Sequence, residues 1–166
     1  MARQLWLLRH AEAEPHGSRE DSARRLTERG EQQARAAGVA LARMGVGFDV
    51  ILYSPKVRSA QTAELAAEAW DAQERERMAV HEPLAGGFEA AQALDAFTGA
   101  GPDGRVLLIG HEPDLSQLAG VLAGAKLDLK KGGVAALRLE GASAELVVLL
   151  RPRDLAMIAD VPVGGQ

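Results

Sequence analysis

With 166 residues, 47% of them apolar but only 4% aromatic, the chain is long enough for one core built mainly of Leu, Val and Ala. A formal net charge of −4 argues against a general binder of nucleic acid or of an anionic membrane. The absence of cysteine excludes disulfides, thiolate chemistry and cysteine zinc sites, and no apolar run approaches the ~20 residues of a membrane span.

The first element is Leu5-Trp6-Leu7-Leu8, a short apolar run that reads as a strand buried on both faces and stops abruptly at Arg9-His10. The run is too short, and too soon interrupted by Arg9, to be a signal peptide. Residues 13–25 are polar and carry Pro15, Gly17 and Ser18, so they form a surface loop. Thr27 then suits the N-cap of a helix whose apolar face runs through Ala34, Ala37, Leu41 and Met44 and stops at Gly45. The small residues on that face predict a helix lying close to a sheet.

Residues 49–54 form a second strand. Ser54-Pro55 predicts the start of the next helix, with Ser54 as its cap and Arg58 in its first turn. Helical side chains lean toward the N-terminus, which sends that guanidinium back over the strand's carboxyl edge. Residues 71–77 are a charged connector, 78–82 a short strand near a sheet edge, and 88–97 a helix. Arg105-Val-Leu-Leu-Ile-Gly110 is the clearest buried strand, and it runs into His111-Glu112-Pro113-Asp114 before a helix through Leu115, Leu118 and Leu122. After a connector with Lys130-Lys131, residues 134–139 and 144–150 make a hairpin. The tail to Gln166 is expected to be partly loose beyond about residue 158. Alternating strands and helices, without a repeat or linker, predict one α/β domain over residues 1–166 whose final hairpin makes the sheet mixed.

Chemistry gathers where these strands end. The first delivers Arg9 and His10, the second leads to Arg58, and the fourth delivers His111. If the strands are parallel neighbours, all four side chains meet at one sheet edge, the place where ligands bind in open α/β sheets. Two guanidinium forks suit phosphate oxygens, and helix N-termini add free N–H groups. Such a pocket could hold a phosphoryl group while one imidazole attacks phosphorus and the other donates to an oxygen.

These residues resemble the histidine phosphatase superfamily, and within it the small SixA-like phosphohistidine phosphatases. The matching stretches are 8–14 (LRHAEAE), 26–30 (LTERG), 54–62 (SPKVRSAQT) and 110–116 (GHEPDLS), in the order the family shows. The resemblance implies a phosphoglycerate mutase-like fold, a three-layer α/β/α sandwich with a mostly parallel mixed sheet. It also implies that His10 is the phospho-accepting nucleophile, that Arg9 and Arg58 bind the phosphoryl group, and that His111 completes the substrate-binding pocket. Ala11 stands where the wider superfamily usually has glycine; alanine there is similar to the small phosphatases.

The expected reaction is hydrolysis through a covalent phosphohistidine, most directly of phosphohistidine on a partner protein. A small phosphorylated metabolite as substrate, and a phosphate-binding module without turnover, are the alternatives. No cofactor or metal is expected: His10, His16, His81 and His111 include no H-x-x-x-H pair, and no Gly-rich loop with lysine suggests a nucleotide. His16 reads as solvated and His81 as a strand-packing residue. Glu12, Glu14 and Asp114 read as surface carboxylates. Glu82, just before Pro83, is the one acid that can be nominated as a general acid. Neither nucleic acid nor membrane is expected as a partner, and a cytoplasmic monomer is the expected form.

Overall fold

The computed structural model describes residues 2–162. In chain order its elements are β1 (Arg3–Arg9), α1 (Glu28–Arg43), β2 (Val50–Tyr53), α2 (Val57–Ala67), α3 (Ala72–Arg75), β3 (Met78–Val80), α4 (Ala90–Asp95), β4 (Arg105–Gly110), α5 (Asp114–Ala123), β5 (Val134–Glu140), β6 (Ser143–Leu150) and α6 (Pro152–Ala159). Short 3-10 turns at Asp21–Ala23, Glu82–Ala85 and Ala96–Gly99 complete them. The strands form one six-stranded sheet in the order β3-β2-β4-β1-β5-β6. Neighbours from β3 to β1 are parallel, whereas β5 runs antiparallel to both β1 and β6. The fold is the mixed α/β sandwich expected from the sequence.

The apolar run of β1 sits in the middle of this sheet, so its two faces feed two cores. Trp6 and Leu8 point into a layer with Ala37, Ala40 and Leu41 of α1, Ala63 and Ala66 of α2, and Leu155 of α6. Leu5 and Leu7 point into the opposite layer with Phe97, Leu115 and Leu118. That alternation is the two-residue period of a strand covered on both faces. The small residues of α1 have a specific use at Gly38. A Cβ there would lie 2.0 Å from the Ala66 carbonyl oxygen, so α1 and α2 touch backbone to backbone.

Thr27 caps α1 as expected, its hydroxyl accepting from the Gly30 N–H at 3.0 Å. Two expectations are corrected. First, α2 begins at Val57 with Lys56 as its N-cap, so Ser54 is not the cap of the helix. Its hydroxyl still accepts from the Lys56 N–H at 3.3 Å, but it has been turned toward the sheet edge. Second, the helix expected over 88–97 is the shorter α4 followed by a 3-10 turn. The tail, expected to be partly loose only beyond about residue 158, begins as a helix that the sequence reading did not assign. Pro152 opens α6, whose Leu155 and Ala159 are buried against the α1 layer. Residues 163–166, where the rest of the expected loose tail falls, lie outside the described residues. Among the described residues no helix is long and apolar enough to cross a membrane.

Candidate active site

The parallel register brings the three strand ends level. Arg9 pairs with Gly110 across β1 and β4, and Tyr53 pairs with Ile109 across β2 and β4. The ladder continues one step further, with the His10 N–H donating to the Gly110 carbonyl and the Ser54 N–H to the Ile109 carbonyl, both at 3.0 Å. His10, Ser54 and His111 thus leave the sheet together at its carboxyl edge. The imidazoles of His10 and His111 lie 5.2 Å apart, centre to centre, and are tilted by 52°.

His10 is held by its neighbour's backbone. Its Nδ1 is 2.8 Å from the Ala11 carbonyl oxygen, which can only accept, so Nδ1 carries the proton and Nε2 keeps its lone pair. Burial, with help from His111, Arg58 and Arg9, pushes the His10 pKa down to about 3. The ring is therefore neutral at ordinary pH, which is the form a nucleophile needs. The Ala11 N–H donates to the Thr62 hydroxyl at 3.1 Å, and that hydroxyl donates to the Arg58 carbonyl at 2.7 Å. One turn of α2 thereby locks the strand end that carries His10 to the helix that carries Arg58.

His111 is set by serines. Its Nε2 lies 2.7 Å from the Ser54 hydroxyl and 3.4 Å from that of Ser59. Burial first, then the cations Arg58 and Lys56, lower the His111 pKa to about 3. With Ser54 donating to Nε2, the neutral ring carries its proton on Nδ1, and that buried nitrogen has no partner within the protein. The Nε atoms of Arg9 and Arg58 are likewise buried without one. Unpaired buried donors are uncommon and costly. Of the four among the described residues, one is Arg29 Nε and the other three fall on three of these four side chains, a donor set of the kind an anion would use.

The two arginines are otherwise firmly placed. Arg9 donates to the Leu129 carbonyl at 2.9 Å. Arg58, almost wholly buried, donates to the Asp21 carbonyl at 2.7 Å and to its carboxylate at 3.2 Å. Asp21 also takes Arg24 at 2.9 Å and Lys56 at 3.1 Å. These cations hold its carboxyl far below the usual carboxylate range. The sequence reading missed this residue, because residues 13–25 look like a polar loop. No sequence pattern announces it; only the fold shows that Arg24, where a loop arginine is normally solvated, is buried beside it.

The remaining candidates fall outside the cluster. Glu82 is exposed in the 3-10 turn after β3 and makes no hydrogen bond or ion pair with Arg9, His10, Arg58 or His111. β3 is the outermost strand on its side, with β2 and β4 between it and β1. His81 packs edge-on against Phe88 at 5.9 Å, and His16 is exposed, 3.9 Å from Asp21. Glu12 binds Thr27 and Arg29 and Asp114 accepts from the Phe88 N–H, each tying a loop to a helix, while Glu14 accepts from the Arg25 N–H within the loop before α1. Among the described residues no group of three His, Cys, Asp or Glu could hold a metal ion.

Comparison with known proteins gives the same picture. The sequence profile of the histidine phosphatase superfamily (branch 1) matches residues 5–94. An uncharacterized protein of Picosynechococcus is 32% identical, covering 92% of this chain and 98% of its own. The structure of the protein histidine phosphatase SixA complexed with tungstate superposes with a TM-score of 0.81 at 23% identity, over 92% of this chain and 99% of that one. A phosphoserine phosphatase from Entamoeba histolytica superposes with a TM-score of 0.70 at 15% identity, over 92% and 99% of the two chains.

Proposed function

Because the chain belongs to the histidine phosphatase superfamily, which supports phosphatase activity, we propose that it hydrolyses phosphohistidine on a partner protein through a phosphohistidine of its own at His10. The observation that carries this reading is the neutral His10 ring, with Nδ1 occupied by the Ala11 carbonyl and His111 5.2 Å away, in a cluster where Arg9, Arg58 and His111 each keep an unpaired buried donor. In the first step Nε2 of His10 attacks phosphorus, and the bond from phosphorus to the substrate imidazole breaks. The leaving ring, protonated beforehand on its other nitrogen, departs as neutral imidazole. In the second step water attacks the phosphorus on His10, the new P–N bond breaks, and inorganic phosphate leaves with the water's proton. Arg9, Arg58 and the Nδ1–H of His111 stabilise the charge on the equatorial oxygens in both steps.

The substrate class follows from what the site offers a leaving group. An alkyl phosphate expels an alkoxide and needs a positioned acid, whereas an imidazole needs none. No carboxyl group is hydrogen-bonded to either histidine among the described residues, and Glu82 is exposed in the turn after β3. Between Arg58 and His111 the chain spends its length on the rest of α2, on β4, and on α3, β3, α4 and two 3-10 turns, these last being short elements that build no long lid. Such a site suits a histidine displayed on another protein.

The test is a head-to-head assay, in the presence of EDTA, of a phosphohistidine-bearing protein against a panel of alkyl phosphomonoesters. Phosphohistidine should be hydrolysed with the higher kcat/KM. Equal or faster turnover of an alkyl ester would make this a metabolite phosphatase, and loss of activity restored by magnesium or zinc would mean a metal takes part.

A further inference from the structure

A second basic feature adjoins the phosphoryl pocket. A cleft of about 1270 Å³ opens between α1, the loop before β5, and α6, with Arg9 on the boundary it shares with the site. That volume exceeds the usual range for a small-molecule pocket, about 300–1,000 Å³, and fits an extended segment of chain better. Its lining carries six cationic side chains, Arg9, Arg29, Lys130, Lys131, Arg151 and Arg153, against three acidic ones. In a chain with a formal charge of −4, this is a local reversal of sign.

Internal pairing cancels only part of that charge: Glu12 is taken by Arg29 at 2.9 Å, Asp154 by Arg151 at 3.0 Å, and Lys130 by Asp128 at 2.7 Å. Lys131 and Arg153 are exposed and form no ion pair among the described residues. Met157, 80% exposed, adds an apolar contact on the same wall. The lysine loop is also fixed to the catalytic strand, since the Gly132 N–H lies 3.1 Å from the carbonyl oxygens of both Arg9 and His10. The cationic wall and the nucleophile are therefore held at a constant separation.

We propose that this cleft docks an acidic segment of the protein whose phosphohistidine enters the pocket. The inference rests on the phosphohistidine reading above and adds to it a partner of stated charge. A fixed field of one sign beside a reactive site speeds encounter and aligns the partner, and it weakens as salt rises.

The test uses three synthetic peptides, each with one phosphohistidine, flanked by Glu/Asp, Gly/Ser or Lys. At low salt the acidic peptide should show a kcat/KM about tenfold above the neutral one, through KM, as expected from a few exposed ion pairs. The Lys131→Glu/Arg153→Glu variant should lose that preference while keeping the wild-type kcat on the neutral peptide and on para-nitrophenyl phosphate. Equal handling of acidic and neutral peptides by the wild type, or a preference that survives in the variant, would overturn the inference. Binding of the unphosphorylated acidic peptide, read by fluorescence anisotropy, decides the cleft independently of turnover. If that peptide binds wild type and not the variant but no phosphohistidine peptide is hydrolysed, the functional reading fails and the acidic docking stands. If a single-stranded oligonucleotide displaces the peptide at lower concentration than the free peptide itself does, the cleft serves nucleic acid and the inference is wrong.

Discussion

The two ends of α2 meet different demands. Beyond its C-terminal end, Trp70 is buried edge-on against Phe48, and its indole N–H still finds the Gly38 carbonyl at 3.2 Å. In its first turn, Arg58 is buried just as deeply, yet its Nε has no partner within the protein. One end satisfies its polar atom, as a packed interior normally does. The other leaves a donor unpaired, at a cost of about 1–3 kcal/mol for a buried polar group. Arg9 and His111 repeat the pattern beside it. A chain under selection for stability alone would not gather such costs at one sheet edge, so the difference separates what the fold needs from what the reaction needs.

Removing the proposed nucleophile tests the reactive end with the largest expected effect. His10→Ala should lower turnover by about 10³-fold or more, while the thermal transition stays cooperative and is not lowered. The imidazole is desolvated and donates only to the neighbouring Ala11 carbonyl, so the core loses little with it. Rapid-quench labelling under alkaline conditions should place phosphate on His10 in the wild type. A label on another residue would dissolve the contrast between the two ends.

The packed end is tested at Gly38. Its substitution by alanine puts a methyl carbon 2.0 Å from the Ala66 carbonyl oxygen, well inside contact. The helix-propensity gain of about 1 kcal/mol opposes an overpacking cost of about 2–4 kcal/mol, and the cost wins because both sides of the contact are backbone. The urea midpoint should fall accordingly, with kcat per folded molecule changed less than twofold. A large loss of kcat at full stability would mean that the two ends of α2 are coupled.

How much of this was legible in the sequence follows the same division. β1, β4 and the N-cap Thr27 could be read because an apolar run and a cap are local patterns. Arg9, His10, Arg58 and His111 could be read as a group because each ends or follows a strand, and parallel neighbours bring strand ends level. Asp21 could not, since its importance lies in contacts with Arg58, Arg24 and Lys56 that a polar loop does not announce. Ser54 was assigned to the wrong partner. Ser-Pro is a sound helix-start signal, but the hydroxyl serves His111 and α2 starts at Val57. The helix α6 was hidden for a related reason: Pro152 suggested an end to the strand, and the helix it opens is short and stabilised by packing on α1.

pH offers a smaller and more graded effect on the reactive end. Burial lowers both His10 and His111 from 6.5 to about 3, so the unfolded chain binds protons before the folded one does. Stability is therefore fully present above pH 6.5 and declines as pH falls from there toward 3. Each histidine contributes a slope of at most about 1.4 kcal/mol per pH unit. The carboxyl of Asp21, also depressed, adds its own loss only below its ordinary value of 3.8. Urea denaturation between pH 7 and 4.5 thus isolates the histidines. The slope should shrink in the His10→Ala variant, and an unchanged slope would show that the His10 ring is not held neutral by the fold.

The smallest effect is expected at Glu82, and its smallness carries the argument about substrate. Glu82 follows β3 at the edge of the sheet, while the two histidines leave β1 and β4 in its interior. Its turn packs toward β4 through Leu84, whose Cδ2 would lie 3.5 Å from a Cβ placed on Gly110. The carboxylate itself stays exposed and makes no hydrogen bond or ion pair with either histidine. A general acid must reach the leaving atom at about 2.6–3.2 Å, directly or through one water. A phosphohistidine leaves as imidazole without such help. Glu82→Gln should therefore change kcat/KM toward a phosphohistidine peptide less than about twofold. Against an alkyl phosphate the same variant answers a sharper question. If wild type hydrolyses that ester efficiently and Glu82→Gln abolishes the activity, the turn moves inward when substrate binds, Glu82 is the acid, and the reactive end extends across β2 to the edge of the sheet.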